Sequence, residues 1–398
     1  MSASTGAVAA PLDAARLRRE EYPWADEVVY LNSASTGPVP ERTRLALEEF
    51  NRMRTRPHTL PDPLIFGGLD TARALAARLI NADPGEIALS GNTSWGLNVA
   101  AMGLPLERGD IVLASDREFP ANVYPWLQLA GRGVTLELVP TTPEGWPDED
   151  RLVERLADPR VRVLAISLVQ FSNGWLADLD RLGRAARANG AWLVVDGIQG
   201  VGQVPVDVRK TPVDVLACGA QKWLLSGWGS GFTYVRRELI ERIAPPMVSW
   251  MAFAGTDDFT RLTDYDPTLR TDARRYELIT LPYQDFVGMS RSMEMILELG
   301  VESIRDHLAR LRQPLWDWAR SREVRIASPV DGHASGIVCL APSDPAAAYR
   351  ALRAAGVVMS MREGAIRFSP HAFNTEDEIA KVIEVLDAVV ASGPAAKH

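Results

Sequence analysis

The chain has 398 residues, 46% hydrophobic and 24% charged, with 51 acidic against 43 basic side chains and a formal charge of −8. That length exceeds one small core and calls for two domains or a large and a small lobe, and no Lys/Arg block or basic stripe with interleaved aromatics points to nucleic acid or an anionic membrane as partner. The two cysteines, Cys218 and Cys339, stand far apart without CxxC or Cys/His spacing, which argues against a disulfide framework or a structural zinc site; no metal is expected.

The opening residues MSASTGAVAAPLDAARLRREE are small and then charged, without an apolar core of signal-peptide length. No later run is apolar enough to span a bilayer, so a soluble, cytoplasmic chain is expected. From about residue 68 to about 235 helical and strand patterns alternate. GLDTARALAARLINADP reads as a helix, EIALS as a strand, TSWGLNVAAMGL as a helix, DIVLAS as a strand and ANVYPWLQLAG as a helix. TLELVP, VRVLAISLV, AWLVVD, VDVLACGA and GFTYV read as further strands, with helices at DEDRLVERLADP and DLDRLGRAARANG. Short, fully apolar strands alternating with helices predict a mainly parallel sheet covered on both faces, with ligands beyond the carboxyl ends of its strands. The later part alternates helices (about 283 to 320, 344 to 355 and 375 to 391) with strand candidates VRIAS, GIVCLA, VVMSM and AIRFS, as a separate α+β lobe. The expected division is 1–60 as a segment packing with the small lobe, 61–280 as the large domain and 281–398 as the small one. The tail ASGPAAKH is expected to fray.

Asp196 closes the strand AWLVVD, a place where a charge needs a reason. Farther on, Lys222 lies among Trp223, Leu224, Leu225 and Trp228. Only Lys210, Lys222, Lys381 and Lys397 are lysines, leaving 43 − 4 = 39 arginines. Chance accounts for the lysines in the turn VRKTPVD, on a helix and in the tail, but poorly for Lys222, whose apolar neighbours lower an amine's pKa and make it a nucleophile. Arginine, always protonated, cannot form an imine. A lysine able to form a Schiff base and an aspartate able to hold a protonated pyridine nitrogen are the protein's half of pyridoxal phosphate chemistry.

The ordered series GNTSWGLN, REFPANVYPW, VQFSNG, VVDGIQG, CGAQKWL, RYELIT and AIRFSPHAFNT resembles the class V aminotransferase family of fold-type I pyridoxal phosphate enzymes, from about Tyr30 to about Glu378. It is most similar to the branch of cysteine desulfurases, kynureninases, isopenicillin N epimerases and ergothioneine-pathway lyases. The resemblance implies an α/β fold with a smaller C-terminal lobe, pyridoxal 5′-phosphate as cofactor and an amino-acid substrate. It assigns Lys222 to the Schiff base and to α-proton transfer, Asp196 to the pyridinium nitrogen and Gln199 to the ring's phenolic oxygen. Thr93 and Ser94, opening a helix, would take the phosphate. Phe119 would stack on the ring, Asn173 would lie near the phenolic oxygen and the substrate carboxylate, and Arg367 would clamp that carboxylate by two parallel hydrogen bonds. Thr280 matches a threonine that reaches the neighbouring subunit's phosphate, implying a homodimer with shared sites.

Each residue also has an ordinary reading: a helix cap for Thr93, a loop amide for Gln199, packing for Phe119, a surface charge for Arg367. His371 could line the substrate pocket, although a surface or capping histidine is the commoner case. Two departures bear on chemistry. Gly219 and Gln221 stand where the family often has serine and histidine, so Gln221 becomes the candidate cofactor contact there. The segment VVMSMREGAIRFS lacks the nucleophilic cysteine of the desulfurases, and Cys218 and Cys339 fall in strand patterns where a buried, inert thiol is expected. SGWGSGF and GIQGVG lack the full phosphate-loop and dinucleotide patterns, and no HExxH or GxSxG occurs. The expected activity is β-elimination or a related side-chain cleavage through an external aldimine. Transamination stands second and epimerisation third, and a cofactor-free scaffold protein is the non-enzymatic alternative.

Overall fold

The computed structural model describes residues 12–392; Lys397 and most of the expected frayed tail lie outside them. In chain order the elements are α1 (Ala14–Glu21), β1 (Val29–Tyr30), α2 (Glu41–Arg54), α3 (Asp62–Ile80), β2 (Ile87–Leu89), α4 (Thr93–Gly103), β3 (Ile111–Ser115), α5 (Tyr124–Leu127) and β4 (Thr135–Val139). Next come α6 (Glu149–Arg155), β5 (Val161–Ser167), α7 (Leu179–Ala188), β6 (Trp192–Asp196), β7 (Val215–Gly219) and β8 (Gly231–Val235). The later part holds α8 (Tyr283–Leu299), α9 (Val301–Ser321), β9 (Arg325–Ile326), β10 (Val338–Ala341), α10 (Pro345–Ala354), β11 (Val357–Val358), β12 (Ser360–Arg362), β13 (Ala365–Phe368) and α11 (Glu376–Ser392).

Seven strands form the central sheet in the order β2-β8-β7-β6-β5-β3-β4. The pairs from β7 to β4 are parallel, and β8 runs against both its neighbours. The sheet is therefore mainly parallel, as the alternation predicts. Strand β6 explains why these segments read as unbroken apolar runs. Leu193 and Val195 enter one core, while Trp192 and Val194 enter the core on the other face. Both faces are dry, so the strand has no polar side until Asp196 ends it. Truncating Leu193 to alanine would cost about 2–5 kcal/mol.

The smaller sheet, β12-β13-β10-β9, is antiparallel and backs onto α9, α10 and α11. The N-terminal segment joins it: β1 pairs in parallel with β11, Asn32 bridges to Ser369, and Arg18 forms an ion pair with Glu378. The same segment then carries α2, which packs on α8, and α8 packs on α3 of the large layer.

Three sequence expectations change. The helix expected at ANVYPWLQLAG is one short α-turn, α5, between two 3₁₀ segments, because Pro120 and Pro125 lack the N–H a continuous helix needs. The helix expected over 283–320 is two helices, divided at Gly300, whose φ of 79° no right-handed helix contains. VVMSM splits into β11 and β12, which pair with different strands. The elements before residue 62 carry patterns too weak to assign from sequence.

Candidate active site

The carboxyl ends of β5, β6 and β7 lie side by side, with Ser167 opposite Asp196 and Asp196 opposite Ala217. Asp196 is 2% exposed and takes one hydrogen bond, from the Ile198 N–H to Oδ1 at 3.0 Å. Desolvation pushes its carboxyl up to about 6; the Ile198 N–H and the Lys222 charge hold it down, and Glu118 adds to the rise. Lys222 sits in the turn after β7, where burial lowers its amine to about 8, opposed by Asp196 and helped by the charges of Arg367 and Arg362. No carboxylate pairs with Lys222 at ion-pair distance among the described residues. Trp223, Leu224 and Leu225 are buried beside it, as expected. Trp228 is not: it is 71% exposed, next to the glycine turn at Gly229.

Across from the amine stands Phe119, with Lys222 Nζ 5.5 Å from its ring centroid. It packs edge-to-face with Phe171, and the ring remains 40% exposed, so part of it is free. Phe119 is aimed by Glu118, a buried residue that sequence reading passed over. The Glu118 carboxylate accepts from the Ser167 N–H at 3.0 Å, the Ser167 hydroxyl, the Gln170 amide and the Asn122 amide at 3.1 Å. Burial raises its pKa, and these four donors oppose that rise.

The N-terminus of α4 points at the same place. Asn92 caps it by accepting from the Trp95 N–H at 2.9 Å, and Thr93 Oγ1 accepts from the Gly219 N–H at 2.9 Å. The N–H groups of Thr93 and Ser94 have no acceptor among the described residues, so an oxyanion can take them. A Cβ at Gly219 would stand 2.6 Å from Gln221 Oε1 and 3.2 Å from Thr93 Oγ1. Glycine at 219 and glutamine at 221 are thus one exchange: the amide occupies the space a serine side chain would need. Thr280 is exposed at the end of the segment that leads into α8.

On the small-lobe side Arg367 is 2% exposed and lacks an acidic partner among the described residues. It donates to Ser360 Oγ at 3.1 Å, to the Phe171 carbonyl at 2.6 Å and to Ser35 Oγ at 2.8 Å. Desolvation lowers even this guanidinium, to about 10. Asn173, also buried, donates to the Gly145 carbonyl and accepts from the Trp175 N–H, each at 2.9 Å. Gln199 is more committed than the sequence implies: it donates to the Ala34 carbonyl at 3.0 Å and accepts from the Trp223 indole at 2.8 Å, leaving one amide hydrogen. His371 is fully buried, not at the surface. Its Nδ1 accepts from the Ala372 N–H, its Nε2 therefore donates to the Trp223 carbonyl, and burial lowers it to about 4. It is a neutral strut under Trp223.

The unpaired Arg367, the helix N-terminus and the buried Asp196 and Lys222 coincide with a family match. The aminotransferase class-V model covers residues 29–382. The chain belongs to the class-V aminotransferase family. It is 27% identical to a probable cysteine desulfurase of Methanothermobacter thermautotrophicus, over 94% of this chain and 98% of that one. It is 30% identical to the isopenicillin N epimerase of Streptomyces clavuligerus, over 91% of this chain and 95% of that one. In fold it is similar to the enzyme C-DES, solved as a mutant with glycine covalently linked to its pyridoxal phosphate, with a TM-score of 0.85 at 20% identity over 94% and 99% of the two chains.

The cofactor of this class-V protein is pyridoxal 5′-phosphate, and the chain's residues fit it. The unclaimed N–H groups of α4 suit a phosphate, the free part of Phe119 suits a ring, and no described donor reaches Asp196 Oδ2, which leaves it for a pyridinium N–H. Bound there, the cofactor supplies a ring that accepts negative charge from the α-carbon of an amino acid.

The N-terminal segment supplies the parts that sequence reading missed. Ala34 orients Gln199, Ser35 holds Arg367, and Gly37 lies so close that a Cβ would come within 1.9 Å of the Lys222 carbonyl. The run NSASTG, small residues only, is the signal that a backbone passes close to something. Both thiols are buried: that of Cys218 is pushed far up and that of Cys339 up to about 11, so neither is a nucleophile.

Proposed function

We propose that the protein is a lyase: it removes the α-proton of an amino acid and expels a group from the β-carbon, with carbon–sulfur cleavage the favoured case. The α-carboxylate lies against Arg367, with Asn173 beside it. Lys222, an amine tuned near neutrality, takes the α-proton; the Cβ–X bond breaks and X leaves with its electron pair and a proton. The enamine released hydrolyses in water to a keto acid and ammonium. Asp196 holds the ring nitrogen's proton, Phe119 covers the ring, and Thr93, Ser94 and Gln221 hold the phosphate.

The reading is carried by the turn before Arg367. β12 and β13 are joined by Glu363 and Gly364 alone, with φ of 46° and 75°, the geometry of a two-residue type I′ hairpin. So short a connection has no room for a loop bearing a thiol, and neither cysteine of the chain is free to accept sulfur. A leaving group is therefore released to solvent. Phe119, which faces Lys222, carries no exchangeable proton; this disfavours epimerisation by two bases on opposite faces. Transamination remains the second reading, because Lys222 can also return the proton to the cofactor.

The test is an assay with a cysteine S-conjugate, with and without an added keto acid. A lyase gives pyruvate and ammonia continuously in both. Product that stops after one equivalent and resumes only with the acceptor would establish a transaminase. In this reading the enzyme is a homodimer in which Thr280 reaches the partner's phosphate site; a fully active monomer by sedimentation would refute that.

A further inference from the structure

We propose that Arg362 forms a second anion-binding point of the site, so that the preferred substrate is an α-amino acid whose side chain or leaving group carries a negative charge of its own. The inference rests on the reading of Lys222 and Arg367 as an amino-acid site and adds the class of side chain.

The hairpin geometry places the residue. Ser360 pairs with Arg367, and Arg362 with Ala365. Alternate strand residues share a face, so Arg362 lies on the face of Ser360, the face on which Ser360 Oγ meets Arg367 Nε. Met361 takes the opposite face and is 43% exposed. The two-residue turn gives this end of the hairpin little freedom, which fixes Arg362 two strand positions from Ser360, about 6–7 Å along the chain.

Among the described residues several arginines lack a carboxylate partner, and Arg362 is one of them. Arg73 meets Glu277, Arg155 meets Glu137 and Arg270 meets Asp257, whereas Arg132 and Arg312 donate to carbonyls. Arg362, half-buried, has no such partner among the described residues, and its one hydrogen bond there goes to the carbonyl of its neighbour Met361 at 2.8 Å. Its positive charge falls on both Lys222 and Arg367. The small-lobe side thus carries two cations, Arg367 and Arg362, opposite Lys222. A substrate α-carboxylate neutralises Arg367, and the phosphate belongs at the α4 N-terminus with Thr93. Arg362, on the face of Ser360 and two strand positions from it, is left without an anion among the described residues. A carboxylate or another oxyanion there completes the site's charge.

The experiment uses the holoenzyme and two nearly isosteric probes, S-carboxymethyl-L-cysteine and its neutral amide, S-carbamoylmethyl-L-cysteine. Affinities are read from the cofactor's absorbance and from calorimetry, independently of turnover. The acid is expected to bind about tenfold tighter than the amide, the span between an exposed and a buried ion pair. In R362Q that gap should close through loss of the acid's affinity alone, with cofactor content unchanged, and R362K should keep part of it. Equal affinities in the native enzyme, a preference that survives in R362Q, or loss of cofactor from R362Q would each overturn the proposal. Selective binding of the acid without pyruvate formation would leave it standing and remove the lyase reading instead.

Discussion

The two walls of the cleft solve the burial of charge in opposite ways. On the large-domain wall Glu118 is saturated by four donors, and Asp196 and Lys222 lie close enough to shift each other. On the small-lobe wall Arg367 is buried among two hydroxyls and a carbonyl, with no anion at all among the described residues. A charged group desolvated without a counter-ion costs stability. The first wall is complete by itself; in the proposed reading the second is completed by the substrate. The contrast separates what the fold needs from what the ligand brings.

The largest expected break falls on the first wall. Lys222→Ala removes the proposed attachment point and proton carrier, and turnover should fall by about a thousandfold or more. Borohydride reduction of the native holoenzyme should fix the cofactor to Lys222, by peptide mass; a label on Lys210 would mean the wrong lysine has been chosen. On the second wall, Arg367→Ala should weaken amino-acid binding by about 2–5 kcal/mol, since the partner carboxylate is then desolvated unpaired. Cofactor content should not change. Unaltered affinity would place the carboxylate elsewhere.

The pH dependence sharpens the first wall. In the proposed reaction the neutral amine of Lys222 is the nucleophile, and burial has lowered its pKa to about 8. Capture of pyridoxal phosphate by the apoprotein should therefore accelerate as pH rises and level off above about 8. An unperturbed lysine would keep accelerating towards its ordinary value of about 10.4. In Glu118→Gln the negative charge near Asp196 is gone, so the Asp196 carboxyl should titrate lower and stay ionised in more acid solution. The observable is the pH at which the bound cofactor's absorbance changes, which should move down relative to the native enzyme.

How much of this was legible in the sequence follows from the physics of each signal. Strands such as AWLVVD declare themselves because both faces are dry, and Asp196 declares itself by breaking the run. Lys222 stood out against 39 arginines. Glu118 did not, because one glutamate beside an aromatic looks like any loop charge until the strands bring Ser167, Gln170 and Asn122 around it. Trp228 misled for the converse reason: nearness in sequence to Lys222 says nothing about which way a glycine turn throws a side chain. The N-terminal contribution was invisible because its partners lie far along the chain, and its message is carried by backbone atoms of Ala34 and Gly37 rather than by side-chain type.

Ser35 gives the smallest and most discriminating effect. Its hydroxyl accepts from one Nη of Arg367 at 2.8 Å, while the Phe171 carbonyl takes the other Nη and Ser360 takes Nε. Ser35→Ala leaves the guanidinium charged and held at two of its three points, so one neutral hydrogen bond is lost, worth about 0.5–1.5 kcal/mol. If Ser35 only anchors the N-terminal segment, that loss appears in thermal stability and the affinity for amino acids is unchanged. If it aims Arg367 at the substrate, affinity falls by about two- to tenfold, and Ser35→Thr, which keeps the hydroxyl, restores it. Joining a stability measurement to an amino-acid titration of the same two variants decides whether the second wall is built by the small lobe alone or by the N-terminal segment with it.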